Sequence, residues 1–458
     1  MSKLWGARFE AGTDKLADQF SFSIDYDHKL AKFDVIGSVV HASMLGKCNI
    51  IPKSDVKKII KGLMDILDSI EKGSFRYDPK AEDIHTDIQQ KLKKAVGPAA
   101  DKLHTARSRN DLIVLDMKLY CLTETAFVVD KLAKLQKAII KCAEAHHDVI
   151  MPAYTHLQSA QVVLLSHHLL AYVEMLERDK SRLLDAMERM DIMPAGSCAL
   201  SGTSLPIDRD YVAEELGFQS VTRNSIDAVS DRDFIIEILG ALAITGMHFS
   251  RIAEDFIIWA TSEFGFVSID WSLCTGSSIM PHKKNPDILE LTRGETANLY
   301  ANLNKLLVIM KALPLTYNRD LQLDKPPLFD SMEKVQLMAQ LLKQLFETLK
   351  INRNVLEASI NKEAFFSVDV MEYLIKKEVS YREAHDTVGR MFKECVDKGK
   401  KISDLSEKEL KKFHSKLDGD IKKMLNPRTS VSNKKSFGST NPKMVGQQIK
   451  EWKKALNV

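Results

Sequence analysis

The stretch from Gly265 to Asp287 (GFVSIDWSLCTGSSIMPHKKNPD) gathers residue types suited to stabilising developing negative charge. Gly276 permits unusual backbone angles, Ser277 and Ser278 offer hydroxyls and amides, and Lys283 brings a positive charge. Pro281 and Pro286 stiffen the exit, and Asn285-Pro286-Asp287 reads as a helix start with Asn at the cap and Pro in the first turn. Such a loop can close over an anion, with helix-end amides and the lysine aimed at it. Spacing alone leaves an ordinary capped loop equally open. A second segment, Leu103 to Asp111 (LHTARSRND), is polar and dibasic at the expected start of a long helix. Arg107 and Arg109 beside hydroxyl and amide donors suit a dianionic ligand, against the plainer reading of a solvated helix start. The third, Tyr154-Thr155-His156-Leu157-Gln158, follows Pro152 and is expected to begin another helix. His156 could give or take a proton near neutral pH, although a single histidine at a helix start is more often only hydrogen-bonded.

These segments need a scaffold, and the spacing of apolar residues predicts a helical one. Gly (20) and Pro (13) are both scarce in 458 residues, which leaves long stretches without a helix breaker. Between Pro98 and Pro152 there is neither, and Leu112, Leu115, Leu119, Leu122, Ala126 and Val129 recur at steps of three and four. A second seam runs Leu165, Leu169, Tyr172, Leu176, Leu183, Met187 and Met190 before Pro194. The third comprises Ile235, Ile238, Leu242, Phe249, Ile252, Phe256 and Trp259, and Glu295 to Leu313 is a fourth candidate. Helices of about 30 to 40 residues would extend roughly 45 to 60 Å and lie side by side as a bundle, one that commonly assembles with copies of itself. Gly240 and Gly246 within the third seam suggest close helix approach. The lysine-rich stretch Lys400 to Lys423 interleaves Asp and Glu, so a solvated helical face is preferred there over an anion-binding tail.

Bulk properties narrow the function. A net charge of +3, with 28% charged residues spread along the chain, makes no single-sign field for nucleic acid or anionic lipid. Cys48, Cys121, Cys142, Cys198, Cys274 and Cys395 are scattered without metal-ligand spacing, as expected of reduced thiols in a cytosolic protein with no metal. The first residues lack the apolar core of a signal peptide. The most apolar stretch, Phe234 to Phe249, contains Glu237 and is short for a bilayer, so no membrane role is expected.

Taken together, the segments resemble the fumarase/aspartase superfamily, whose signature G-S-x-x-M-P-x-K-x-N-P is complete here from Gly276 to Pro286. Within that superfamily the chain resembles the argininosuccinate lyases at Lys3 to Phe9, Glu82 to Thr86, His104 to Asp111, Asp227 to Phe234 and Tyr317 to Gln322. The resemblance implies an all-α fold of three helical domains (1–106; 107–355, with the signature loop at 270–287; 356–458). It further implies a central long-helix bundle forming the core of a homotetramer, active sites shared between subunits, no cofactor, and argininosuccinate as the small-molecule substrate. By the same resemblance Ser277 is the general base, His156 the acid that protonates the departing guanidino nitrogen, and Lys283 and Asn285 hold the carboxylate as it becomes an aci-carboxylate. Ser23, Asn110, Thr155, Tyr317, Gln322 and Lys325 would bind substrate, with Ser108 and Arg232 as further contacts and His85 supporting the site. The chain departs from the common family form at His282 (Gln), Ala7 (Gly) and Cys198 (a small uncharged residue), the last expected to be a buried small apolar position. Other fumarate-releasing lyases of the superfamily (adenylosuccinate lyase, fumarase, aspartase), a crystallin-like structural protein and a purely scaffolding helical protein are the alternatives.

Overall fold

The computed structural model describes residues 14–458; the Lys3–Phe9 segment, with Ala7, lies outside them. The elements that matter for function are, in chain order, α1 (Ala31–Lys47), α2 (Ile84–Val96), α3 (Arg109–Ala145), the strands β1 (Ile150–Thr155) and β2 (Gln158–Leu164), α4 (Leu165–Met190), α5 (Asp233–Trp259), the two-residue strands β3 (Thr275–Gly276) and β4 (Lys284–Asn285), α6 (Asp287–Met310) and α7 (Lys325–Thr348). Helix dominates, and the strands among the described residues form only two-stranded pairs.

The apolar seams locate α4 and α5 well, since Leu169, Leu176, Ile235, Ile238, Phe249 and Phe256 are all buried. In α3 only Leu112 and Leu115 of the expected seam are buried, Leu119, Leu122 and Val129 are half-buried and Ala126 is exposed; the buried face runs instead through Val114, Cys121, Val128 and Leu132. Only α3, at 37 residues, has the expected length; the other long helices run 24 to 27 residues. The fourth candidate begins eight residues earlier than expected, at Asp287, and α7 was not foreseen. Pro326 and Pro327 look like breakers, yet they stand in the first turn, where no intrahelical amide is lost. Helix α5 is long and apolar enough to cross a bilayer, which corrects the argument from length. Its apolar side chains are largely buried inside the protein, as in the core helix of a water-facing domain.

Gly246 behaves as expected: a Cβ there would stand 2.4 Å from Leu299 Cδ1, and its carbonyl accepts from Thr296 Oγ1 at 3.0 Å. Gly240 does not, because a Cβ would meet nothing within 4 Å in the chain. The Lys400–Lys423 stretch is also different from one solvated helix. It folds into short pieces, Ile402–Asp404, Glu407–Phe413 and Gly419–Met424, because Leu405, Leu410, Leu417 and Ile421 turn into an apolar cluster with Val370, Leu374, Val388 and Met391.

The chain divides into two compact units. One comprises residues 1–130, 179–246 and 295–336; the other comprises 131–178, 247–294 and 337–458. Every boundary between them falls within one of the five long helices.

Candidate active site

His156 is not at a helix start. It occupies the tip of the β1–β2 hairpin, with Thr155 paired to Gln158 and both loop residues left-handed, His156 at φ 55° and Leu157 at φ 56°. Two positive φ angles in a two-residue loop match the twist of the flanking strands. The sequence from Ile150 to Leu164 carries Tyr154, Thr155, Val162 and Val163, side chains that suit a pleated ribbon, and helix begins only at Leu165. The hairpin root is pinned by Leu165 N–H donating to the Val149 carbonyl at 2.9 Å and Leu164 N–H to Thr440 Oγ1 at 2.8 Å. Tyr154 meets Phe264 edge to face, ring centroids 5.7 Å apart. Thr155 and His156 project into solvent from this anchored base.

The signature loop is a second hairpin in the same unit. Thr275 pairs with Asn285 and Gly276 with Lys284, so the loop spans Ser277 to Lys283 and brings the two chemically suited ends of the signature side by side. Asn285 therefore belongs to β4 and does not cap the helix. Pro286 takes that position, its carbonyl accepting from Leu289 N–H at 2.9 Å and Glu290 N–H at 3.1 Å. Ser277 Oγ accepts hydrogen bonds from the amides of Met280 at 3.0 Å and Ile279 at 3.4 Å. Amide donors on a hydroxyl oxygen favour its ionised form, which is what a serine base requires. Lys283 closes the turn through its N–H to the Met280 carbonyl at 3.0 Å, with its side chain exposed. Lys284 is used differently, donating to the Ile269 carbonyl and lying 4.2 Å over the Trp271 ring.

The other unit holds most of the substrate-binding candidates. Ser23 is buried and donates to Asp27 Oδ2 at 2.5 Å, while Asp27 Oδ1 accepts from Ile84 N–H at 3.1 Å. Gln322 Nε2 and Arg319 Nη2 both donate to the Ser21 carbonyl, at 3.1 and 2.8 Å, so the approach to Ser23 is tied to the Tyr317–Lys325 segment. Burial pushes the Tyr317 phenol up, against the pull of Arg232. Arg232 and Lys325 are both buried and share Asp324, Arg232 Nε at 2.5 Å and Lys325 Nζ at 3.1 Å. Arg232 is thus engaged with protein, where the sequence suggested a substrate contact. Asn110 Nδ2 donates to the Ala199 carbonyl at 2.9 Å, and Ser108 Oγ accepts from Asn110 N–H at 3.2 Å.

The two arginines that suggested a dianion clamp are likewise committed. Arg109 pairs with Asp83 at 2.9 Å and donates to Thr86 Oγ1 at 2.7 Å; Arg107 donates to Ser38 Oγ at 2.8 Å in the interior. Beside Arg107 lies a buried cluster that no local spacing announced. His85 Nδ1 stands 2.5 Å from Asp34 Oδ2 and 3.6 Å from Asp116 Oδ2. Burial opposes charge on His85, but its hydrogen bond to Asp34 and the fields of Asp34, Asp83 and Asp116 raise its pKa to about 9, so it is an imidazolium at neutral pH. His41, buried, and His104, half-buried, are pushed down to about 3 and about 4 by desolvation and the nearby Arg107 charge, and stay neutral. Donor atoms of Asp34, His85 and Asp116 lie within 4.8 Å of one another, close enough for a metal, yet Nδ1 is already committed to Asp34 as an ion pair. Cys198 is half-buried, and its constraint is backbone conformation, φ 52°, more than apolar packing; burial raises its thiol to about 11, which keeps it protonated.

The described residues thus combine long helices with a serine-bearing hairpin in one unit and buried cation–carboxylate clusters in the other. Residues 7–300 match the family model described as Lyase. Solved structures agree in fold: EDDS lyase in complex with formate is 25% identical, with 98% of this chain and 91% of that chain covered and a TM-score of 0.84. Class II fumarase from Schistosoma mansoni is 16% identical over 92% and 96%, with a TM-score of 0.75. Residues 366–432 match a second family model, Argininosuccinate lyase C-terminal. Argininosuccinate lyase from Geobacter metallireducens is 46% identical over 98% of both chains, and that from Symbiobacterium thermophilum 45% identical over 98% of this chain and 97% of its own. The chain belongs to the argininosuccinate lyase family.

Proposed function

We propose that this chain cleaves argininosuccinate to arginine and fumarate, with Ser277 as the base. The observation that carries the assignment of the base is the pair of amides donating to Ser277 Oγ inside a hairpin closed by Lys283. Ser277 removes a proton from the carbon beside a carboxylate, and the electron pair is held as an aci-carboxylate facing Lys283 and Asn285. The pair then forms the carbon–carbon double bond as the carbon–nitrogen bond breaks. His156, at its hairpin tip, gives a proton to the departing guanidino nitrogen. Thr155 stands beside it as a substrate contact. Ser23, Ser108, Asn110, Tyr317, Gln322 and Lys325 grip the remainder of the substrate; Arg232 acts through Asp324 on Lys325, and His85 has a supporting role through its pair with Asp34. No cofactor takes part.

We further propose a cytoplasmic homotetramer whose active sites are completed between subunits. Apolar side chains left exposed along the long helices support this, among them Phe127, Leu291, Val308 and Leu337. A three-domain organisation (1–106, 107–355, 356–458) goes with this reading, and the self-contained apolar cluster from Val370 to Ile421 supports its last segment. The test is the appearance of fumarate absorbance on mixing with argininosuccinate. Wild type should turn over and Ser277→Ala should lose about 10³-fold or more, near the upper range for removal of a general base. Turnover of adenylosuccinate alone would overturn the substrate, and an active Ser277→Ala enzyme would overturn the assignment of the base.

A further inference from the structure

Asp111 has no role in the chemistry above, yet it is fully buried and accepts three backbone N–H groups from two separate segments. Oδ1 takes Ser108 N–H at 3.0 Å; Oδ2 takes Gly196 N–H at 2.9 Å and Cys198 N–H at 2.8 Å. The Gly196–Gly202 turn it gathers is conformationally demanding, with Gly196 at φ 88°, Cys198 at φ 52° and Gly202 at φ 75°. Just before the turn, Arg209 ties the chain to a neighbouring segment, donating from Nε to Ala195 O at 2.8 Å and from Nη1 to Thr222 O at 3.0 Å. The carboxylate thus holds amides within the turn, and the guanidinium holds the residue that leads into it. The turn then presents the Ala199 carbonyl, which binds the Asn110 carboxamide at 2.9 Å.

We propose that Asp111 is a positioning residue for substrate binding: it locks the Gly196–Gly202 turn to the start of α3, and the Ala199 carbonyl of that turn sets the orientation of Asn110. This rests on the reading of Asn110 and Ser108 as substrate-binding. Asp111 touches both, Ser108 through its amide and Asn110 through Ala199, without facing the ligand itself. A carboxylate is needed because only an acceptor with two oxygens can collect three N–H groups diverging from two segments. Asparagine at 111 would keep one oxygen and turn an NH2 either toward the amides of both Gly196 and Cys198 or toward that of Ser108, breaking the link between the turn and the start of α3 in either orientation.

The test is a double-mutant cycle on the full-length enzyme, reading kcat/KM for argininosuccinate cleavage. Asn110→Ala and Asp111→Asn are each expected to lower kcat/KM at least tenfold. If Asp111 acts through Asn110, the double variant falls no more than about twofold below Asn110→Ala. Gly196→Ala perturbs the turn while leaving the Asp111 carboxylate itself unchanged, since φ is 88° there and the new Cβ would lie 2.8 Å from Ile207 Cδ1 and 2.9 Å from Arg209 Cγ; it should reproduce the Asp111→Asn loss. Unchanged circular dichroism and gel-filtration elution keep the comparison among folded enzymes, and Gly196→Ala carries the test if Asp111→Asn fails to fold. A double variant showing the product of the two single losses would overturn the proposal, as would Asp111→Asn or Gly196→Ala within twofold of wild type. Full activity of Asn110→Ala would instead overturn the reading of Asn110, and the proposal with it.

Discussion

Replacing Asp34 with Asn should remove a pH dependence of stability that the wild type carries between pH 6.5 and 9. In the folded chain His85 holds its proton up to about pH 9, against an ordinary value of 6.5, through Asp34 at 2.5 Å and the carboxylates of Asp83 and Asp116. A group whose folded pKa is raised contributes fully below its unfolded pKa and loses that contribution as pH rises through the folded one. The displacement corresponds to roughly 3 kcal/mol, counted once for the His85–Asp34 pair. Full stabilisation is thus present below pH 6.5 and gone above about pH 9. His41 and His104 act in the opposite sense and in another window: their folded values are depressed, so they favour the folded state above pH 6.5 and oppose it as pH falls toward about 4 and about 3. Those two therefore add nothing to the slope on the alkaline side, and comparison with Asp34→Asn isolates the part of it owed to the His85–Asp34 pair. Urea unfolding followed by far-ultraviolet circular dichroism at pH 6.5 and 9 measures it. The wild type should lose about 3 kcal/mol more than Asp34→Asn over that interval. Equal losses in the two proteins, or a wild type as stable at pH 9 as at 6.5, would refute the charged-imidazole reading.

His156→Asn should separate conformation from chemistry, because asparagine tolerates the left-handed tip: stability within about 0.5 kcal/mol of wild type, with turnover down about 10² to 10⁴-fold in the fumarate assay. At the neighbouring position, Leu157→Gly should raise stability by about 1 kcal/mol in thermal unfolding, since an exposed leucine at φ 56° is replaced by a residue indifferent to that angle. Gly246→Ala should cost about 1 to 3 kcal/mol through the clash with Leu299, measured by urea unfolding, whereas Gly240→Ala lacks any such contact within the chain and should not.

The helices were legible because their apolar faces repeat locally; α7 was missed because its two prolines mimic a stop while standing in the one turn that accepts them. The signature loop was legible from Gly276, Ser277, Lys283 and the flanking prolines, but its hairpin pairing depends on Thr275 meeting Asn285 across ten residues, which composition cannot announce. His156 was misplaced for a related reason. A ribbon of six-residue and seven-residue strands embedded between two long helices inherits their apolar rhythm, and only the β-branched residues on either side hint at it. The buried carboxylates Asp34, Asp116 and Asp324 were invisible, since each acquires meaning from a partner brought by the fold: His85 for the first two, Arg232 and Lys325 for the third. The same fact explains why Arg107 and Arg109, so suggestive in sequence, turn out to be occupied by the protein's own acids and hydroxyls.

The amides of Ile279 and Met280 reach Ser277 Oγ only while the backbone keeps its tight bend. Ionisation of that oxygen and ordering of that bend are then two faces of one equilibrium, and thermodynamic reciprocity binds them: whatever steadies the bend makes the hydroxyl more acidic, and an oxygen that has shed its proton steadies the bend by the same amount. A ligand pressing on the exposed side chains of Ile279 or Met280 would thereby tune basicity from a distance, without contacting the reacting oxygen.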